Sequence, residues 1–336
     1  MFKINEKKME KLENSKVLVI GGSGFIGGFV VSELLKHKVS EVVIYDNFAR
    51  GKSANIIESL KDPRCSVYPF GGDVRETDIL DTAMKGIDYV FHLAAMWLLH
   101  CKDYPRTAFD VNIAGTFNVL EACVKNNVKK LISSSSASVY GDASEVPMTE
   151  SHPFNNKNFY GATKIAGEAM ATAFNDRYGL KIIGLRYMNV YGPHQDQTAA
   201  YTGVVPIMLN KIEANEAPSI NGDGSQAYDF VYVEDVARAN VQALLSDQDF
   251  GMYNVGTEVQ TTINELCEMI LKLKKSGLKV QYNPYSEDDA RSMVKNRIGS
   301  RVKAEQDLGF KYKYELKEGL EKLIQWRIAT GTDQAK

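Results

Sequence analysis

Three residue types that can move a proton to and from an alcohol occur in order within one part of the chain. The segment SSSSASVYG covers residues 133–141, and YGATK covers residues 160–164. Tyr160 and Lys164 are four residues apart, so their side chains share one face of a helix. An ammonium beside a phenol favours phenolate, so we expect Lys164 to lower the pKa of Tyr160 from about 10 toward neutrality. Tyr160 could then deprotonate an alcohol that Ser136 holds, while a hydride leaves the carbon.

A glycine-rich turn near the start of the chain offers a binding place for the hydride acceptor. The segment VLVIGGSGFIGGFV has Gly21, Gly24 and Gly27 where a strand passes into a helix. Without side chains there, the backbone can turn sharply and a pyrophosphate can approach the helix N-terminus. Asp46 ends the next predicted strand, where a carboxylate binds ribose hydroxyls and repels a 2′-phosphate. This pattern predicts NAD rather than NADP, although Arg50 follows four residues later.

Short runs rich in Val and Ile alternate with longer amphipathic segments through the first half of the chain. The runs lack polar–apolar alternation, which indicates parallel strands that are buried on both faces and covered by helices. The predicted fold is therefore α/β, a Rossmann-type doubly wound parallel sheet with a smaller discontinuous α/β substrate domain. The predicted parts are a charged N-terminal extension over residues 1–15, an NAD-binding domain over 16–192 plus 225–259, and a substrate domain over 193–224 plus 260–336. Helices are predicted over 25–37, 204–214, 263–273 and 316–326.

Composition excludes several classes of partner. The 40 Lys and Arg residues nearly balance 42 Asp and Glu residues, without the basic excess that nucleic-acid binding requires. No run approaches the roughly 18 apolar residues of a membrane span, and the charged start does not fit a secretory signal, so no membrane association is expected. The four cysteines lack CxxC spacing. We therefore predict a cytoplasmic protein without a metal site.

Ordered motifs along nearly the whole chain resemble the extended short-chain dehydrogenase/reductase family, in particular its NAD-dependent nucleotide-sugar epimerases and dehydratases. They include GGSGFIG, YDN, GDVRE, FHLAA, VNIAGTFNVLEA, YGATK, LRYMNVYGP and YNVGT. The resemblance implies catalysis by Ser136, Tyr160 and Lys164, with Asn112 bracing backbone near the site. The NAD contacts that it implies are Gly21, Gly24, Phe25, Ile26, Gly27, Asp46, Asn47, Phe48, Asp73, Val74, Leu93, Ala94, Ala95, Tyr160, Lys164 and Tyr187.

The resemblance also implies a UDP-sugar substrate and a homodimer. The dimer would form through helices over residues 105–126 and 160–178, with Ala166, Met170 and Phe174 among the outward apolar positions, although these positions equally fit packing on the sheet. The expected substrate contacts are Met96, Trp97, Ser136, Ser138, Asn189 and Arg291.

Two neighbouring small residues favour one branch of the family's chemistry. Ala137 and Ser138 stand where family dehydratases usually carry an Asp and a Glu, which expel water from the sugar. The first expectation is therefore a UDP-hexose or UDP-N-acetylhexosamine 4-epimerase, which oxidises C4 and returns the hydride on the other face. A catalytically silent NAD-binding scaffold is a remote alternative.

A second enzymatic alternative stays open, because the segment after HLAA departs from typical epimerases. Met96 and Trp97 could enclose an apolar C6, and His100 or Cys101 could exchange the C5 proton. The product would be a 4-keto-6-deoxy sugar, from a dehydratase-like or C5-directed reaction, with a 5,6-unsaturated UDP-sugar as one candidate substrate. These residues equally fit the buried start of a helix.

A second departure concerns the diphosphate. Tyr228 stands where the family generally has an arginine that grips the diphosphate. Arg291, Arg297 or Arg301 could supply the missing charge, since a guanidinium binds phosphate with two parallel hydrogen bonds. A solvated surface charge fits each of them equally well.

Overall fold

A computed structural model describes residues 12–196, 203–285 and 294–332. Its strands in chain order are β1 (Lys16–Ile20), β2 (Glu41–Tyr45), β3 (Cys65–Val67), β4 (Tyr89–His92), β5 (Lys130–Ser136), β6 (Ile182–Tyr187), β7 (Asn189–Tyr191), β8 (Ser219–Asn221), β9 (Ala227–Tyr228), β10 (Phe230–Tyr232), β11 (Phe250–Val255), β12 (Thr261–Thr262), β13 (Gln281–Asn283) and β14 (Asn296–Arg297). Seven of them form one parallel sheet in the order β3–β2–β1–β4–β5–β6–β11.

Strand β1 lies inside this sheet and is buried on both faces, as its composition predicts. Val17, Leu18, Val19 and Ile20 of β1 have no exposed surface. The chain runs outward from β1 in one direction and from β4 in the other, so a crevice opens at the carboxyl ends of these two strands. The predicted Rossmann-type doubly wound sheet is confirmed.

Helices cover the sheet and build the rest of the molecule. They are α1 (Phe25–Leu34), α2 (Thr77–Ala83), α3 (Leu98–Asp103), α4 (Pro105–Ala108), α5 (Gly115–Lys125), α6 (Phe159–Tyr178), α7 (Val204–Glu213), α8 (Val233–Leu245), α9 (Ile263–Leu273), α10 (Val302–Leu308) and α11 (Leu316–Ala329). The bounds predicted for α9 are confirmed. The helix predicted over 25–37 ends earlier, because the N–H groups of Lys36 and His37 bond to carbonyls three residues back and tighten the chain into a turn.

The helix predicted over residues 105–126 is present, but it is not α-helical throughout. A π-helical segment, Phe109–Ala114, separates α4 from α5. The wider turn contains Asn112, whose amide oxygen accepts a hydrogen bond from the Met96 N–H at 2.7 Å and whose amide nitrogen donates to the Met96 carbonyl at 3.1 Å. The irregular turn thus fixes the chain that follows β4, at the edge of the crevice.

A second apolar cluster forms beside the main sheet from α7, α9, α11 and short strands. Strands β12, β9 and β14 form one small sheet, and β13 pairs with β8 in another. Strand β9 lies within residues 225–259, which we assigned to the NAD-binding domain, yet it pairs with strands from residues beyond 260. The division into two domains stays a prediction.

Candidate active site

The serine, tyrosine and lysine of the sequence prediction meet at the carboxyl end of β5. Ser136 is the last residue of β5, and Tyr160 lies in the first turn of α6. That helix begins where Asn158 accepts a hydrogen bond from the Gly161 N–H at 2.8 Å. The Ser136 side chain lies beside the Tyr160 phenol and acts to lower its pKa. The predicted grouping of Ser136 with Tyr160 is therefore present in the structure.

Lys164 lies one helical turn after Tyr160 and faces the same crevice. Its ammonium donates to the carbonyl oxygen of Ser134 at 2.7 Å and lies 5.7 Å from the centre of the Tyr160 ring. The lysine therefore spans the phenol and the end of β5. This position suits a group that holds charge near the reacting oxygen.

The expected effect of Lys164 on the phenol is wrong for this structure. Burial raises the pKa of Tyr160 to about 12, while the Ser136 side chain and the charge of Arg297 act in the opposite direction. Burial also lowers the pKa of Lys164 to about 8. The phenol is therefore protonated at neutral pH, whereas Lys164 still carries most of its positive charge. A further positive charge in the crevice is needed to bring the phenol toward neutrality.

The glycine turn fits the diphosphate of a dinucleotide. A Cβ added to Gly27 would overlap the carbonyl oxygen of Gly21, and Gly21 itself has φ +83°. No side chain caps the start of α1, so its first N–H groups are free to bind an anion. The hydroxyl of Ser23 is buried without a hydrogen-bond partner among the described residues. Backbone donors and space for phosphate therefore coincide at this turn.

The ends of β2 and β3 lie beside the glycine turn. The Asp46 carboxylate accepts hydrogen bonds from the Ser23 N–H at 2.9 Å and the Phe48 N–H at 2.8 Å. Asp73 accepts a two-pronged ion pair from Arg75, which lowers the pKa of Asp73 to about 2. Neighbouring donors thus hold both carboxylates in place. Asp46 keeps free lone pairs that a ribose could use.

A cleft of about 1040 Å³ joins the glycine turn to Tyr160. The predicted contacts that line it are Gly21, Gly24, Phe25, Ile26, Gly27, Leu93, Ala95, Met96, Trp97, Ser136, Ser138, Tyr160, Lys164, Tyr187 and Asn189. Those outside its lining are Asp46, Asn47, Phe48, Asp73, Val74 and Ala94. They sit around the glycine turn, and the Val74 side chain is buried in the core. Arg291 lies outside the described residues.

The segment after β4 contributes a wall to the cleft. The Trp97 ring lies 5.5 Å from the Arg50 guanidinium. Cys101 also lines the cleft, but its thiol is directed at the Met96 carbonyl at 3.4 Å, and burial raises the pKa of Cys101 to about 11. A thiol with that pKa is a poor base near neutral pH. His100 does not line the cleft.

The opposite wall carries the residues expected to replace the family's arginine. The Tyr228 hydroxyl donates to the Val294 carbonyl at 2.8 Å, and Arg297 lies opposite Tyr228 on the neighbouring strand. Both residues line the cleft. Arg301 does not line it, because its guanidinium packs 5.2 Å from the Tyr312 ring and pairs with Glu305 at 3.8 Å. Of the two described arginines that we considered, only Arg297 reaches the cleft.

Polar residues from two loops also line the cleft and were missed in the sequence. His194 contacts the Asn55 amide oxygen through Nδ1 at 3.1 Å, and the Lys52 ammonium lies 3.5 Å from the Asp196 carboxylate. Each loop follows a strand end, β2 or β7, and each is rich in polar residues. That position was the available signal, since ligands bind at the carboxyl ends of parallel strands.

The described residues hold no group of three or more His, Cys, Asp or Glu side chains that could bind a metal ion. Within the same ranges, no helix is both long and apolar enough to span a membrane.

Comparisons with known proteins agree with this geometry. Residues 17–256 match the model of the NAD dependent epimerase/dehydratase family. A Methanocaldococcus jannaschii protein, provisionally named a UDP-glucose 4-epimerase, is 34% identical over 313 residues, covering 92% of this chain and 97% of its own.

Two solved structures are similar along nearly their whole length. The UDP-N-acetylglucosamine 4-epimerase of Methanobrevibacter ruminantium, in complex with UDP-N-acetylmuramic acid, has a TM-score of 0.88 and 33% identity, covering 95% of this chain and 99% of that one. The UDP-glucose 4-epimerase of Thermotoga maritima, solved with UDP-glucose, has a TM-score of 0.86 and 32% identity, covering 94% and 99%.

Proposed function

Because the chain belongs to the NAD-dependent epimerase/dehydratase family, we propose that it is a UDP-sugar 4-epimerase that acts by reversible oxidation at C4. UDP-glucose and UDP-N-acetylglucosamine are the first candidates, since they are the sugars named for the similar epimerases. NAD is the cofactor of the family. The residues around the glycine turn would bind its diphosphate, and Asp46 its ribose.

One observation carries epimerisation over dehydration. Among the described residues, Asp196 is the single carboxylate in the cleft lining, and it pairs with Arg50 and Lys52 at 3.7 and 3.5 Å. Ala137 and Ser138 occupy the positions next to Ser136, where the dehydratases carry their acids. Loss of water from the sugar needs an acid for the leaving oxygen and a base for the C5 proton. The described cleft offers no such pair.

The residues present suffice for the proton transfers of an epimerase. Ser136 would hold the C4 oxygen by a hydrogen bond, and Tyr160 would accept its proton. Lys164 would hold positive charge near the phenolate and so lower the barrier to proton transfer. NAD, when bound, would supply the acceptor of the hydride and a positively charged nicotinamide. After the ketone turns, Tyr160 would return the proton from the same position.

The test is Tyr160→Phe in the protein loaded with NAD. We expect a loss of about 10²- to 10⁴-fold in the interconversion of C4 epimers, followed by NMR, because the general acid–base group is removed. Tyr104→Phe, at a 60% exposed position outside the cleft, is the matched control and should keep full activity. Full activity of Tyr160→Phe would reject the proposal.

The products distinguish the alternatives in the same assay. A product that differs only at C4 supports the epimerase. A new methyl signal would point instead to C5-directed or dehydratase-like chemistry, for which Met96 and Trp97 supply an apolar wall. Binding of NAD without change of any nucleotide sugar would favour a non-catalytic scaffold.

A homodimer is proposed for the assembly. Of the two placements left open for Phe174, packing on the sheet is the one found: Phe174 is 8% exposed and packs in the core, and Met170 packs partly against it. Phe117 contacts Phe174 and leaves 43% of its surface exposed, and Tyr178 leaves 58%. These exposed rings on α5 and α6 offer the apolar surface that a partner would cover. A monomer mass in light scattering would exclude the dimer.

The cytoplasmic setting expected from the sequence is also part of the proposal. Cys65, Cys101, Cys123 and Cys267 are all free and buried. Buried thiols without disulfides fit a reducing compartment. Fractionation of cells that express the tagged protein would test this setting.

A further inference from the structure

The wall of the cleft opposite α6 presents a positive charge that no acidic side chain balances. Arg297 lines the cleft together with Tyr160 and Tyr228. Among residues 12–196, 203–285 and 294–332, no carboxylate forms an ion pair with it, and its buried Nε has no hydrogen-bond partner. A guanidinium held in this way is costly unless a ligand supplies the anion.

The backbone around Arg297 is fixed, so the side chain does not owe its position to a flexible loop. Strand β14 pairs with β9 in parallel, with Arg297 opposite Tyr228. The Arg297 carbonyl accepts a hydrogen bond from the Asp229 N–H at 3.0 Å. Asp229 in turn is buried and accepts hydrogen bonds from the N–H and hydroxyl of Thr257 at 2.8 and 2.7 Å. The guanidinium is therefore carried by a preorganised support.

Asp142 is an acidic residue whose charge acts on Arg297. However, its Oδ1 accepts hydrogen bonds from the backbone N–H groups of Lys295 at 2.7 Å and Asn296 at 3.0 Å. Burial lowers the pKa of Arg297, and the group still carries its proton at neutral pH because a guanidinium begins from a very high pKa. The site thus holds a desolvated cation with capacity for an anion.

The position of this cation points to the sugar end of the cleft. The charge of Arg297 acts on the Tyr160 phenol, which is the group that would touch the C4 oxygen. Arg297 and Tyr160 also line one cleft, so a sugar whose C4 oxygen touches Tyr160 shares that cleft with the guanidinium. Its planar fork matches a carboxylate through two parallel hydrogen bonds.

We propose that Arg297 binds a carboxylate carried by the sugar, so that the preferred substrates are acidic UDP-sugars rather than their neutral counterparts. The inference rests on the proposed UDP-sugar function and changes the order of its candidates, since it places acidic UDP-sugars before UDP-glucose and UDP-N-acetylglucosamine. Two placements of the carboxylate share this chemistry. One is a uronic acid, with the carboxylate at C6, and the other is a lactyl ether on the ring, as in UDP-N-acetylmuramic acid.

The experiment compares ligand pairs that differ in that one group. Binding of UDP-glucuronic acid and UDP-glucose, and of UDP-N-acetylmuramic acid and UDP-N-acetylglucosamine, is measured by calorimetry on the NAD-loaded protein. We expect the acidic member of at least one pair to bind about 10- to 100-fold more tightly, as for a charge-assisted hydrogen bond. The pair that shows the preference identifies where the carboxylate lies.

Variants at Arg297 separate the carboxylate from the diphosphate. Arg297→Gln should abolish the preference while leaving the affinity for UDP and for the neutral sugars unchanged, and Arg297→Lys should keep part of it. Near-ultraviolet circular dichroism and NAD content report whether each variant is folded. Equal weakening of UDP, neutral and acidic sugars would show a diphosphate contact and overturn the proposal. So would the lack of any acidic preference in the wild-type protein, which requires no variant.

The outcomes distinguish failure of this inference from failure of the proposed function. The preference for acidic UDP-sugars is measured by binding, so it can be tested without turnover. Tyr160→Phe should keep it, because Arg297 remains in place. An acidic preference without C4 epimerisation would reject the proposed reaction alone, whereas C4 epimerisation without the preference would reject this inference alone.

Discussion

The two walls of the cleft differ in how their buried charges are paired. The wall that carries Tyr160 and Lys164 on α6 is called the catalytic wall, and the opposite wall carries Tyr228 and Arg297. Behind the catalytic wall, Glu168 on α6 receives the Arg186 guanidinium through Nε at 2.9 Å and Nη2 at 2.7 Å, and the Ser135 hydroxyl at 2.5 Å. Arg186 also donates to the Tyr140 hydroxyl at 2.8 Å. On the opposite wall, Arg297 has no such carboxylate among the described residues. One wall is internally balanced, and the other has a charge to offer a ligand.

This difference indicates that the ion pair behind the catalytic wall supports the catalytic side chains, whereas the charge on the opposite wall recognises the ligand. Glu168 follows Lys164 by one helical turn, so the ion pair between α6 and β6 fixes the helix that carries both Tyr160 and Lys164. Catalytic side chains need such rigid placement. A ligand-binding cation gains from the opposite arrangement, because a protein carboxylate would compete with the substrate. We therefore expect changes behind the catalytic wall to alter stability and changes on the other wall to alter selectivity.

The largest expected effect comes from breaking the balanced wall. Glu168→Gln keeps the shape but leaves the Arg186 charge buried and unpaired, so we expect the free energy of unfolding to fall by about 3–5 kcal/mol. Tyr228→Phe is the comparison on the opposite wall and removes one hydrogen bond, for a loss of about 0.5–1.5 kcal/mol. Urea denaturation measures both. Equal losses would show that the two walls do not differ in this respect.

A change at the glycine turn tests the cofactor end of the cleft. Gly27→Ala adds a Cβ that overlaps the Gly21 carbonyl, so the turn must shift at a cost of about 1–3 kcal/mol. If this free energy is lost from NAD binding, the affinity for NAD falls roughly 10- to 100-fold. Gly277→Ala is the control, because no described atom lies within 4 Å of the added Cβ. NAD titration by fluorescence would contradict the proposed site if both variants bound equally.

The pH dependence of kcat/KM tests how the ionisations of Tyr160 and Lys164 combine on the catalytic wall. Burial raises the pKa of Tyr160 to about 12 and lowers that of Lys164 to about 8. If catalysis needs phenolate and ammonium together, kcat/KM rises about tenfold per pH unit below pH 8, as the phenolate fraction grows. Above pH 8 the loss of ammonium cancels that gain, and the profile becomes flat.

Lys164→Arg is the matched variant for this profile, because a guanidinium keeps its charge throughout the range. Its kcat/KM should continue to rise beyond pH 8. A wild-type plateau that begins near neutral pH would instead show that bound NAD, rather than Lys164, controls the ionisation of Tyr160.

Local patterns predicted the catalytic wall well. The buried β-strands, the turn at Gly21 and the pairing of Tyr160 with Lys164 on one helical face follow from short-range sequence spacing. The π-helical turn at Phe109–Ala114 does not follow from sequence spacing, because it accompanies the contact between Asn112 and the Met96 backbone. The high pKa of Tyr160 was also missed, since spacing reveals a neighbouring charge but not the burial of the phenol.

The sequence by itself determined the order of strands and helices, the glycine turn and the placement of Tyr160 and Lys164 on one helix, because these depend on contacts between near neighbours and on strand ends. Only the tertiary structure decided which arginine enters the cleft. Arg297 reaches the neighbourhood of Tyr160 because β14 pairs with β9, and pairing between distant segments depends on the packing of the whole chain. Arg301, four residues later, faces Tyr312 instead. The selectivity of the site thus follows from long-range packing, which residue type alone does not encode.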